Sequence, residues 1–223
     1  MAIKIQRTSD INIDSVKCIV YGGAGVGKTR LCATAPNPII ISAESGLLSL
    51  ADVDVDYIEI TSLKQLDEAY RALKDSNDYE TICLDSLSEI AEVLVAELKP
   101  QFKDGRQVYG ALADAMMPML RRFRDLPGKN TVFTVKLARV QDEESGAITE
   151  ELLMPGKVLG MQLPYMIDML FKLNVDRKGA AYLQTAPDRK SFAKDRSGAL
   201  SNPEKPDMTY IFNKVLEKSR AKS

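Results

Sequence analysis

Hydrophobic positions along this chain follow two alternating rhythms. Short apolar runs over Val16–Tyr21, Pro38–Ser42, Tyr57–Ile60, Thr81–Asp85 and Thr131–Leu137 carry almost no polar interruption, as strands buried on both faces do. Between them, apolar residues recur about every 3.6 positions. Leu63, Leu66, Ala69, Tyr70 and Leu73 share one helical face, and Leu87, Ile90, Ala91, Leu94 and Leu98 share another. Leu112, Ala115, Met116, Met119, Leu120 and Phe123 line a third. Two of these helices open on capping boxes, Ser62 with Gln65 and Ser86 with Glu89. Strand-helix alternation of this kind predicts an α/β fold with a mostly parallel central sheet flanked by helices.

Towards the C-terminus the pattern changes. Val140–Pro155 reads as a hairpin turning at Gln141–Gly146. Ile167–Val175 and Ala180–Thr185 read as two further strands, which predicts an antiparallel extension of the sheet at its C-terminal side. A last helix presents Met208, Ile211, Phe212, Val215 and Leu216 on one side, and Lys218–Ser223 reads as its frayed end. With no internal repeat and no low-complexity linker, the chain divides into an N-terminal extension (residues 1–15), a core (16–200) and a C-terminal helix and tail (201–223).

Composition narrows the function. The 223 residues are 45% hydrophobic and 27% charged, which excludes disorder and coiled coil as descriptions of the whole. A net charge of −1 excludes a uniformly basic nucleic-acid binder. No apolar run is long enough to span a bilayer, and Met1–Arg7 lacks the apolar region of a secretory signal, so a cytoplasmic protein without membrane contact is expected. Cys18, Cys32 and Cys83 sit among apolar neighbours and read as buried free thiols. Histidine is absent, so acid-base chemistry falls to carboxylates, lysines and water.

One motif names a chemistry. Gly22-Gly23-Ala24-Gly25-Val26-Gly27-Lys28-Thr29 fits G-x-x-x-x-G-K-[ST], follows an apolar strand and opens a helix read over Thr29–Thr34. Glycines let successive backbone N–H groups converge on a phosphate. Lys28 is expected to reach the β- and γ-phosphates, the Thr29 hydroxyl to bind Mg²⁺, and Arg30 to complete the nucleotide-binding set. A second signature is Thr81-Ile82-Cys83-Leu84-Asp85, an apolar strand ending in a carboxylate placed to hold the same Mg²⁺. Since Ser86 follows Asp85, a water-activating carboxylate has to come from elsewhere. Glu89 is one candidate, though it also fits the capping box. Glu44, at the end of the neighbouring strand, is the favoured one.

These residues resemble the RecA-type ATPase core, and the layout is similar to small phage-encoded RecA-like P-loop NTPase proteins, among them Sak-type single-strand annealing recombinases. The resemblance implies ATP and Mg²⁺ as cofactors and an ATPase activity. It places Lys136, at the end of Thr131–Lys136, where the family's γ-phosphate sensor stands, commonly a glutamine. It likens Lys194-Asp195-Arg196 to the Lys-x-Arg element that reaches the ATP of an adjacent subunit, so the implied assembly is a ring or filament with ATP at subunit interfaces. A short strand over Ile3–Arg7 docking on a neighbour would suit such an assembly.

Charge placement suggests single-stranded DNA as a partner. Residues 99–129 carry +4 and residues 189–223 carry +5, leaving −10 elsewhere. The segment Lys99–Tyr109, read as a loop, mixes Lys99, Lys103 and Arg106 with Phe102 and Tyr109, cations beside rings on which bases can stack. Arg139 and Lys157 flank the base of the hairpin, whose tip is acidic. The cluster Arg121-Arg122-Arg124 fits a solvated helix face as well as DNA. The expected function is therefore an Mg²⁺-dependent ATPase acting on single-stranded DNA in phage recombination or replication. Two alternatives stand beside it: a small-molecule kinase, and a nucleotide-dependent switch that recruits a protein partner.

Overall fold

In a computed structural model, the structure describes residues 7, 13–44 and 48–221. The expected strand over Ile3–Arg7 lies outside these residues except for Arg7. The elements in order are β1 (Lys17–Gly22), α1 (Lys28–Cys32), β2 (Pro38–Ser42), β3 (Asp56–Glu59), α2 (Leu63–Lys74), β4 (Thr81–Asp85), α3 (Leu87–Leu98), α4 (Gly105–Arg124), β5 (Asn130–Gln141), β6 (Ile148–Leu153), α5 (Lys157–Met166), β7 (Met169–Val175), β8 (Ala181–Gln184), β9 (Lys194–Asp195) and α6 (Met208–Arg220).

The strands form one sheet in the order β3-β2-β4-β5-β1-β7-β8. From β3 to β7 every neighbouring pair is parallel. β6 joins β5, and β8 and β9 join β7, all antiparallel. The fold is the α/β architecture expected, a mostly parallel sheet flanked by helices, with its antiparallel extension on the C-terminal side.

Two cores cover the two sheet faces, and strand residues alternate between them as the two-residue period requires. Ile19 and Tyr21 face a cluster with residues of α2 to α5, whereas Cys18 and Val20 face the cluster of α1 and α6. Cys18, Cys32 and Cys83 are all buried and free, as expected. Parallel strands place all their C-terminal ends on one edge, and β5 lies between β1 and β4 there. That edge is where open α/β sheets hold ligands.

Four local readings need correction. Lys99–Tyr109 is not all loop: a short 3-10 turn covers Lys99–Gln101, and α4 starts at Gly105, capped by Asp104. The whole of α5 was missed. α1 ends at Cys32 rather than Thr34, and α6 continues to Arg220, so most of the expected frayed end is helical. No helix among the described residues is long and apolar enough to cross a membrane.

Candidate functional site

The turn from β1 into α1 is built on glycine. Gly25 (φ 72°) and Gly27 (φ 98°) lie in the left-handed region, where any side chain would be strained. A Cβ on Gly22 would stand 2.7 Å from the Leu173 carbonyl oxygen, so the turn also needs glycine to pass β7. Lys28 folds back over this turn and donates to the carbonyls of Gly22 (3.0 Å) and Gly23 (2.8 Å). Burial pulls its ammonium below the usual range, while the carboxylates of Asp85 and Glu44 oppose that fall.

Asp85 ends β4 directly beside this turn. Register pairs it with Ser42 and sets Leu84 opposite Phe133, so the next residue on β5, Thr134, lies close to the carboxylate. Thr29 donates its hydroxyl to Asp85 Oδ2 at 2.6 Å, and Thr134 donates to Oδ1. Asp85 is only 5% exposed, yet both its carboxylate oxygens are satisfied. Thr29 and Asp85 thus present hard oxygen donors at one point, a donor set that suits Mg²⁺. Thr134 escaped the sequence reading because it sits inside an apolar strand. Only the register between β4 and β5 reveals its place.

Glu44 follows β2, with its N–H on Ser42 Oγ at 3.1 Å and its side chain exposed. It is close enough to raise the proton affinity of Lys28. Glu89 stands differently. Its N–H caps on Ser86 Oγ at 3.4 Å, but its carboxylate forms an ion pair with Lys136. Only half of the expected capping box therefore forms. Lys136 pairs with Gly22 in the β1–β5 register, at the mouth of the glycine turn. Arg30 points away from the turn, making two bonds to Asp52 (2.7 and 3.2 Å) and one to the Ser49 carbonyl.

Lys194 and Arg196 are not near their own Lys28. Lys194 pairs with Leu170, which pairs with Ile19, three residues and about 10 Å short of Gly22. Lys194 donates to the Pro164 carbonyl at 2.5 Å, and Arg196 bonds Asp168 at 2.9 Å. They border a groove of about 770 Å³ between the β5–β6 hairpin, α5 and the chain through Phe192. Its wall is apolar and open to water: Met161 is 70% exposed and Tyr165 84%, with Phe192, Leu153 and Val140 beside them.

Residues singled out for DNA divide into free and engaged. Lys99, Lys103, Arg106 and Lys157 make no ion pair among the described residues. Tyr109 packs so closely on Gly156 that a Cβ there would stand 3.1 Å from the tyrosine Cβ and 3.2 Å from its ring, which brings the start of α4 against the base of the hairpin beside Lys157. Glu97, near the end of α3, accepts from the N–H of Leu63 at the start of α2, just beyond β3. The Lys99–Arg106 segment thereby sits towards the same sheet edge as the glycine turn. Arg139 is engaged with Glu150 across the hairpin at 3.4 Å. Arg122 binds Asp67 (2.7 Å) and stacks over Tyr70 (4.0 Å), and Arg124 binds Asp125, so two of the three clustered arginines serve the fold.

A family described as an AAA domain matches residues 14–197. No curated protein matches the chain. Solved structures do match; one is a KaiC-like protein from the hyperthermophilic archaeon Pyrococcus horikoshii OT3, 15% identical, covering 81% of this chain and 82% of that one with a TM-score of 0.44.

Proposed function

This chain belongs to the AAA-domain family, and from that premise we propose that it hydrolyses ATP with Mg²⁺ while bound to single-stranded DNA, in the recombination or replication of a phage. The observation that carries the nucleotide part is the contact between Thr29 and Asp85 beneath the glycine turn. Bound there, Mg²⁺ would supply neutralisation of phosphate charge. Lys28 would exchange its two backbone carbonyls for phosphate oxygens. Glu44 would accept the proton of the attacking water, and its exposed carboxylate, without an ion pair among the described residues, suits that role better than Glu89, which Lys136 already occupies.

The homo-oligomer, ring or filament, is supported by the groove. Exposed apolar surface gathered in one place marks a contact that burial would satisfy. The groove lies beside Lys194 and Arg196, which are distant from their own phosphate turn and would serve a neighbour's by leaving the Pro164 carbonyl and Asp168. DNA contact is supported by Lys99, Lys103, Arg106 and Lys157, four cations without acidic partners among the described residues, with Phe102 in the segment before Tyr109 and Lys157 next to the Gly156 on which Tyr109 packs. Arg139 would join them only by leaving Glu150.

ATP turnover measured with and without single-stranded DNA, at low and at moderate salt, tests the whole reading. The expected result is stimulation by DNA that fades as salt rises, because the contacts are to phosphates. Glu44→Gln is expected to lower turnover about 100-fold with nucleotide still bound. No stimulation together with no gel shift would remove DNA from the function. Bound nucleotide without any turnover would instead assign a nucleotide switch.

A further inference from the structure

Lys136 is held at two points. Its backbone N–H donates to Ser88 Oγ at 2.9 Å, and Ser88 in turn donates to the Leu153 carbonyl at 2.7 Å, so the strand cannot drift. Its ammonium is paired with Glu89, with Glu92 at 4.0 Å as a second acid. Neighbouring strands are about 4.8 Å apart, so from its position opposite Gly22 a lysine side chain swung the other way covers the mouth of the glycine turn. The cation is already near enough to depress the proton affinity of Lys28.

Resting on the nucleotide reading above, we propose that Glu89 sets the preference of the site between nucleoside triphosphate and diphosphate, by holding Lys136 away from the place of the terminal phosphate. A diphosphate is served by the backbone of the glycine turn and by Lys28. A third phosphate adds charge at the mouth, where Lys136 is a further cation beside Lys28, and it must compete with Glu89 for that ammonium. The side chains of Lys136 and Glu89 are 33% and 27% exposed, and an ion pair this open to water is weak enough to be exchanged. Glu89 is thus a positioning residue that acts through Lys136 and touches no phosphate itself.

The test is equilibrium binding of fluorescent ADP and of a fluorescent, non-hydrolysable ATP analogue, both with Mg²⁺, to the full chain. Glu89→Gln keeps the shape but removes the charge that holds Lys136. It is expected to tighten the triphosphate analogue about tenfold and to leave ADP within about twofold. Glu89→Asp, which keeps a carboxylate, should restore the wild-type ratio. In a Lys136→Met background, Glu89→Gln should change neither ligand. An unchanged ratio in Glu89→Gln overturns the proposal, and so does equal tightening of both ligands. A gain that persists without Lys136 also overturns it, since Glu89 would then act only as a distant negative charge. If the wild type bound neither nucleotide, the nucleotide reading itself would fall, a result distinct from all of these. Circular dichroism of each variant separates loss of fold from loss of discrimination.

Discussion

β1 begins with one half-buried lysine and leads into another. At its start, Lys17 donates to the carbonyls of Leu126 (2.8 Å) and Lys129. Past its end, Lys28 donates to the carbonyls of Gly22 and Gly23. Burial lowers the proton affinity of both, Lys17 to about 8. Their chemistry is alike, but their acceptors are not. Lys17 fastens a connection between α4 and β5, and its acceptors belong to a segment whose next residues enter the sheet. Lys28 rests on its own glycine turn, beside a carboxylate ringed by hydroxyls, and its acceptors can be given up for a stronger anion. An ammonium on carbonyls is therefore structural or functional according to what else could take it.

The sharpest way to break this comparison is Lys28→Ala. Loss of a preorganised cation from a phosphate site lowers turnover about 100-fold or more, and melting temperature should barely move. If nucleotide binding survived, the two lysines would be equivalent and the distinction would fail. Lys17→Met should do the opposite. Two carbonyls lose their donor, at a cost of about 1–3 kcal/mol in stability by denaturant titration, while nucleotide affinity holds.

The smallest effect is in pH. Lys17 has a folded pKa of about 8 against an ordinary 10.5, so the unfolded chain binds the extra proton between those values. Stability from this group therefore rises as pH increases from about 8 to 10.5, and is lost again as pH falls through 8. Thermal melts at pH 8, 9 and 10 should show this rise in wild type and a shallower slope in Lys17→Met. Parallel slopes would show that Lys17 does not feel its burial.

The central elements were legible in the sequence because their patterns are unbroken. β2 and β4 fall on the residues expected, and the phosphate motif lies where strand meets helix. α5 was hidden because its ten residues include Gly160 and Pro164, which weaken the helical signal, and because Met161 and Tyr165 are apolar yet exposed, so no single apolar stripe marks the helix. Gly105 and Gly110 likewise disguise the first turns of α4. Within the site, Lys28, Thr29 and Asp85 announce themselves by motif. Thr134 and the Glu89–Lys136 pair do not, since each depends on strands distant in sequence coming into register. Arg30, expected to complete the nucleotide-binding set, is paired with Asp52 in the structure.

β5 is twelve residues long and belongs to two structures at once. Its first half is wedged between β4 and β1, and its second half forms one arm of the hairpin with β6. No joint separates the halves, and Lys136 and Thr134 sit just inward of the point where the strand leaves the sheet. Tugging on the protruding arm is therefore tugging on the partner of Asp85: the strand is a stiff spoke, and whatever grips its rim turns the hub.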